Sequence, residues 1–179
     1  DQIFAIYDRE VLRGTATFDT EPKTPAQREE WLAQHASARH PVIVAVGELR
    51  EHASDGGSDL TPGAQAVLGW ASLSAWSTRC AYARAAENSV YVHHAARGRG
   101  VGRALLTDLL RRGREAGLGV VLARVVEGNP ASVALHRACG FRTVGVMKRV
   151  GEKFGMILDV RLMQVHIDGF QDDPATAEE

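Results

Sequence analysis

The stretch "RGRGVGR", Arg97–Arg103, decides how the rest of this chain is read. It follows an alternating run, "NSVYVHH" (88–94), and opens into "ALLTDLLRRGREAG" (104–117). The alternation predicts a strand. Val101, Leu105, Leu106, Leu109 and Leu110 recur along one side of a helix over 101–116. Between the two, Gly98, Gly100 and Gly102 allow positive φ and let backbone N–H groups approach a ligand closely. The helix start adds unpaired N–H donors and the positive end of its dipole. Strand, glycine turn and helix together make a cradle for an anion, with Arg97, Arg99 and Arg103 supplying charge around it. The spacing excludes two common phosphate sites. No Lys-Ser/Thr pair follows the glycines, and G-x-G-x-G is not the G-x-G-x-x-G of a dinucleotide fingerprint. On glycine spacing alone, a tight turn with a solvated basic face is the competing reading.

Outward from this turn, the chain divides cleanly. "DQIFAIYDREVLRG" (1–14) has Ile3, Ile6, Tyr7, Val11 and Leu12 at helical spacing and closes on Gly14. Thr24 and Pro25 cap and open a second helix that turns Trp31 and Leu32 inward. "PVIVAVG" (41–47) is a buried strand, and "AVLGWASLSAW" (66–76) returns beside it across a long polar loop at 48–66. "AAENSVYVHH" (85–94) is the third strand and "LGVVLARVV" (118–126) the fourth. "NPASVALHRACGF" (129–141) is a short helix with Asn129 as cap, Pro130 first and Gly140 as stop. "FRTVGVMKRVG" and "MILDVRLMQVHI" are a closing pair of strands. The acidic tail 168–179 is expected to be disordered. Consecutive strands early and alternation with helices late predict one mixed α/β (α+β) domain over 1–167, with helices on both faces of its sheet.

The composition narrows the function. Twenty-one Lys plus Arg against 22 Asp plus Glu leave a formal charge of −1. General nucleic-acid binding needs a strong positive field and is disfavoured. No apolar run reaches the ~20 residues of a membrane span. Cys80 and Cys139 form neither a disulfide framework nor a zinc motif, so no metal is expected and both read as free thiols of a cytoplasmic chain.

The wider context gives the glycine turn a more specific meaning. "RGRGVG" fits R/Q-x-x-G-x-G/A between a strand and a helix, and "NPASVALHRACGF" fits N-x-x-S-x-x-L-[YH]-x-x-x-G-F downstream. In that order they resemble the GNAT superfamily of acetyl-coenzyme A-dependent N-acetyltransferases. "TATFDTEPKT", "SAWSTRCAY", "AAENSVYV" and "GEKFG" followed by "LD" are similar to the branch of phosphinothricin and methionine sulfone/sulfoximine acetyltransferases. The resemblance runs over roughly residues 1–167. It implies a mostly antiparallel central sheet, acetyl-CoA as co-substrate and a homodimer. The family's first strand precedes its first helix and has no counterpart here, so the chain is expected to lack its start. The 48–66 loop is longer than the family's turn.

Site residues follow from the match. The resemblance places the coenzyme pyrophosphate on Arg97, Gly98, Arg99, Gly100, Val101, Gly102 and Arg103. It implies that the strand splays at Val90, Tyr91 and Val92, whose backbone receives the pantetheine arm, with the Val92 N–H as oxyanion donor. Asn129 and Ser132 are further coenzyme candidates, Asn129 being a helix cap as well. Glu87 matches the base proposed in "E-x-S-V-Y-V", and His136 stands where many relatives carry a tyrosine acid. Read without the resemblance, Glu87 is a solvated edge-strand carboxylate and His136 a packed or surface residue.

For the acceptor, Arg79 is the candidate for an α-carboxylate, since a guanidinium meets a carboxylate bidentately. Phe18 with Thr17 and Trp76 are candidate walls, and Lys153 and Phe154 a substrate-side loop contributed across a dimer. Core packing for Phe18 and Trp76, and a solvated charge for Arg79, are the alternatives. The expected activity is acetylation of the α-amine of phosphinothricin, methionine sulfone or methionine sulfoximine. A polyamine, an aminoglycoside, a protein N-terminus, or coenzyme A binding without catalysis remain open.

Overall fold

The computed structural model describes residues 1–49 and 65–170. Most of the predicted polar loop, and the tail from residue 171, therefore lie outside the described residues. The chain opens with helices α1 (Gln2–Arg13) and α2 (Pro25–Gln34), then strands β1 (Val42–Glu48), β2 (Gln65–Ala75) and β3 (Ala85–Val92). Helix α3 (Val101–Glu115), strand β4 (Val120–Val126), helix α4 (Pro130–Ala138) and strands β5 (Arg142–Lys153) and β6 (Met156–His166) complete it. Short 3₁₀ turns at Cys80–Tyr82 and His94–Ala96, which periodicity does not foresee, flank β3.

The six described strands form one sheet in the order β1-β2-β3-β4-β6-β5. Every neighbouring pair is antiparallel except β3 with β4. Alternation along the strands divides the two faces. Ala71 and Leu73 of β2 meet the apolar stripe of α3, where Leu105, Leu106 and Leu109 join Val121, Ala123 and Met163 in the main core. The opposite face carries Trp70, whose ring meets Tyr7 of α1 at 6.0 Å and Trp31 of α2 at 5.4 Å. His35, just beyond α2, reaches Ser74 Oγ at 3.0 Å on the same face.

Two helical expectations are corrected in detail. Leu12 and Leu32 point outward, and in α1 the buried set is Phe4, Ile6 and Val11. Each helix is short enough that one stripe covers its contact with the sheet, so a neighbouring leucine is left over. The start of α2 is held by a reciprocal cap: Thr24 Oγ1 accepts from Gln27 N–H, and Gln27 Oε1 accepts from Thr24 N–H at 2.9 Å. Thr24→Ala is expected to lower unfolding free energy by about 1 kcal/mol, measured as a shift of the urea midpoint at unchanged slope.

Candidate active site

The site begins where β3 leaves β4. Their parallel register runs only through Ala85, Ala86 and Glu87, the last opposite Leu122. Beyond that point β3 still pairs with β2 as far as Val92. The His93 N–H donates to Leu68 O at 2.9 Å on the β2 side. Antiparallel bonding alternates along a strand. The N–H groups of Val90 and Val92 therefore face the gap, where no described ladder partner meets them. This is the free backbone edge expected at Val90–Val92.

A side chain holds the gap open. Asn88 is buried, and its Nδ2 donates to Leu122 O at 2.9 Å, which replaces a strand-to-strand bond with a longer bridge. Its Oδ1 lies 3.2 Å from His136 Nε2 on α4. His136 is 3 % exposed, and its Nδ1 lies 2.8 Å from Ser132 O. A carbonyl and an amide oxygen both accept only, so a neutral ring, with one N–H, can donate to one of these two partners at a time. Burial pulls the His136 pKa below its ordinary value of 6.5, partly offset by the bond to Ser132. The ring stands behind Asn88, whose amide it helps to hold against β4.

His35 is buried too, with Nδ1 at 2.7 Å from Trp31 O, and burial likewise lowers its pKa from 6.5. Both groups bind protons more weakly in the fold than in the unfolded chain. Their stabilising contribution is therefore complete above pH 6.5 and lost as pH falls from there towards their folded values. Melting temperature is expected to fall with acidification below that value, and His136→Gln is expected to flatten part of the slope. A melting series against pH, for both proteins, measures it.

At the other end of the free edge is the glycine turn. Gly98 and Gly100 have φ of 74° and 79°, and Gly100 is the N-cap of α3. The first intrahelical bond is Ala104 N–H to Gly100 O, leaving the N–H groups of Val101, Gly102 and Arg103 outside the helical ladder. A Cβ added at Gly98 or Gly100 would meet no atom within 4 Å, so it would stand in the open cup. At Gly102 a Cβ would come within 3.1 Å of Leu135 and 3.4 Å of Val92, so this glycine lets α3 close on α4 and β3. An open groove lined by Gly100, Arg103, Ala104, Thr107 and the Asp108–Arg111 ion pair continues along α3. Donors, open space and cationic rim fit a pyrophosphate. Arg99 and Arg103 belong to this rim, Arg99 donating to Glu48 O at 3.1 Å. Arg97 differs from expectation: its guanidinium is committed to Glu10 of α1 and to Val92 O. Asn129 caps α4 by accepting from the Ser132 N–H at 3.1 Å.

The α1–α2 face of β3 carries Glu87, Ser89 and Tyr91. The Tyr91 ring packs on Trp70 at 4.9 Å and edge-on to Tyr7 at 5.0 Å, so only its backbone is available to a coenzyme in the gap. Burial raises the Tyr91 and Tyr7 pKa values, keeping both phenols neutral. Glu87 is recessed and takes a two-pronged bond from Arg124 of β4, which the strand reading passed over as part of an apolar run. The arginine also lies 5.9 Å from the centre of the Trp76 ring. An arginine amid "VVLARVV" was the available signal for Arg124, and an asparagine amid "AAENSVYV" the signal for Asn88. Arg79 sits on the β2–β3 connection, just before the 3₁₀ turn, with no described contact to Glu87.

One acceptor-side expectation changes. Lys153 is 3 % exposed and tied to its own chain, donating to Thr17 O at 2.9 Å and Glu10 O at 3.2 Å. It straps the α1–α2 connection to β5 and is not on offer across a dimer. Burial lowers its pKa. Phe154 is the exposed tip of the β5–β6 turn, at φ 53°. Phe18 is partly exposed and lays its ring against Gly151 of β5, where any side chain would collide. No cluster of metal-ligating side chains occurs among the described residues.

The chain has relatives among known proteins. The profile of the Acetyltransferase (GNAT) family matches residues 3–141. The chain is 37 % identical over 172 residues to an L-methionine sulfoximine/L-methionine sulfone acetyltransferase of Pseudomonas aeruginosa, covering 96 % of this chain and 91 % of that one. It is 37 % identical over 155 residues to a phosphinothricin N-acetyltransferase of Streptomyces coelicolor, covering 87 % and 83 %. Among solved structures, a GNAT superfamily phosphinothricin acetyltransferase of Sinorhizobium meliloti in complex with AcCoA superposes with a TM-score of 0.79. That pair is 35 % identical, covering 92 % and 80 % of the two chains.

Proposed function

This chain belongs to the acetyltransferase (GNAT) family and is an acetyl-CoA-dependent N-acetyltransferase, and from that premise we propose that it acetylates the α-amine of an amino-acid analogue. Phosphinothricin, methionine sulfone and methionine sulfoximine are the acceptors the reading favours, and their acetylation would be a detoxification. The observation that carries it is the recessed Glu87 at the point where β3 parts from β4.

Acetyl-CoA supplies the thioester carbonyl and the thiolate leaving group. The chain's own residues do the rest. The free N–H groups of Val101, Gly102 and Arg103, with Arg99 and Arg103, hold the pyrophosphate. The Val90 and Val92 backbone pairs with the pantetheine arm. The Val92 N–H is the donor aimed at negative charge on the acyl oxygen. Glu87 takes the proton of the incoming ammonium, so that a neutral amine attacks. Asn129 and Ser132, at the start of α4, are the further contacts proposed for the coenzyme. Phe18 and Trp76 flank the acceptor.

We further propose a homodimer built on the β5–β6 hairpin. Val144, Met147 and Val150 of β5, an edge strand unpaired on its outer side among the described residues, and Met156 and Ile157 of β6 are all exposed there. The cytoplasm, where acetyl-CoA is made available, is the proposed location.

An acetyl-CoA consumption assay tests the acceptor. The three analogues are compared with spermidine, an aminoglycoside and a peptide with a free N-terminus. Turnover confined to the amino-acid analogues is expected. Turnover of another class, with none of the three accepted, overturns the reading.

A further inference from the structure

Arg124 breaks an otherwise apolar strand. It lies two residues beyond Leu122, the last β4 residue in register with β3, and so just past the point where the strands part. Its Nε donates to Glu87 Oε1 and its Nη2 to Glu87 Oε2, both at 2.6 Å. The Glu87 side chain is 19 % exposed and the Arg124 side chain 56 %. The acid is recessed and the base stands at the mouth, supported by the Trp76 ring.

An ion pair this exposed on its basic side contributes little to stability, so folding alone gives weak reason to place an arginine here. Its geometry suits binding better. A guanidinium offers two edges that match a carboxylate. Glu87 occupies the edge formed by Nε and Nη2, while Nη1 has no described partner. The outer edge, Nη1 with Nη2, is therefore presented at the mouth. An α-amino acid carries its ammonium and its carboxylate on one carbon. It needs an anionic and a cationic group side by side, which is what a paired acid and base provide.

We propose that Glu87 and Arg124 together form a receptor for the zwitterionic head of an α-amino acid, Glu87 meeting the ammonium and the outer edge of Arg124 the α-carboxylate. The inference rests on the reading of the acceptor as an amino acid, and it moves the carboxylate handle from Arg79 to Arg124. It makes Arg124 a residue that selects the acceptor, while proton removal stays with Glu87. A polyamine, with no carboxylate, would leave Arg124 facing a like charge.

The test is calorimetric titration of the coenzyme A-saturated protein with L-methionine sulfone and with its α-carboxamide. The unaltered protein is expected to prefer the acid by about 10- to 100-fold, the span of a charge-assisted bond. Arg124→Ala is expected to erase that preference by weakening the acid alone, and Arg124→Lys to restore part of it. Equal binding of acid and amide by the unaltered protein, or binding of neither, overturns the proposal. So does a preference that survives in Arg124→Ala or vanishes in Arg79→Ala instead. Equal weakening of both ligands by Arg124→Ala also overturns it, since that would mark Arg124 as a support for Glu87 only. Turnover reports separately on the function. Acid-selective binding that depends on Arg124 without acetyl transfer would reject the acceptor reading and leave the receptor standing.

Discussion

Glu87→Gln is expected to reduce kcat for acetyl transfer by roughly 10²–10⁴-fold, the usual contribution of a positioned general base. Affinity for acetyl-CoA is expected to stay within about twofold, because Glu87 projects to the α1–α2 face while the glycine cup lies at the far end of β3. Glutamine keeps the shape and can still accept from Arg124 through its carbonyl oxygen. What it loses is the capacity to take a proton. The deficit should therefore shrink as pH rises and more of the acceptor arrives as neutral amine. A kcat–pH comparison with an equilibrium titration of acetyl-CoA checks both parts. A uniform deficit at every pH would point to lost binding geometry, and an undiminished rate would remove Glu87 from the reaction.

Gly100→Val is expected to raise the Michaelis constant for acetyl-CoA by about 100-fold with a much smaller change in the acceptor's. Two costs combine. A β-branched residue resists the φ of 79° that Gly100 adopts as N-cap of α3, and relaxing that angle swings the first-turn N–H groups out of register. The added side chain also points into the open cup, where the pyrophosphate is to lie. Gly102→Ala is a useful contrast. Its methyl would press on Leu135 and Val92, not into the cup, so it is expected to act through stability and the spacing of α3. Unfolding curves beside the acetyl-CoA titration separate the two. Normal coenzyme affinity in Gly100→Val would dismiss the cradle.

Much of this was legible in the sequence because local chemistry wrote it. Three glycines between an alternating run and an amphipathic one specify a strand, a turn and a helix start. Thr24-Pro25 and Asn129-Pro130 specify helix openings, and both caps formed. What stayed hidden depends on contacts between distant segments. Glu87 and Arg124 are 37 residues apart in sequence, and Asn88 and His136 are 48 apart. Neither pairing has a local signature beyond a polar residue in an apolar strand. Lys153 was misread for the same reason. Its place beside a turn fits a substrate-side loop, and only the fold shows Thr17 and Glu10 presenting carbonyls to it across the chain.

The Asn88 bridge carries a consequence for how the coenzyme arrives. A sheet with a continuous seam would have to unzip before anything could lie between β3 and β4, and each turnover would begin with that loss. Here the seam was never sewn: a buried amide spans the interval and an imidazole stands behind it. The entropy of holding the interval open is spent once, during folding, so the arm enters a slot already cut to receive it.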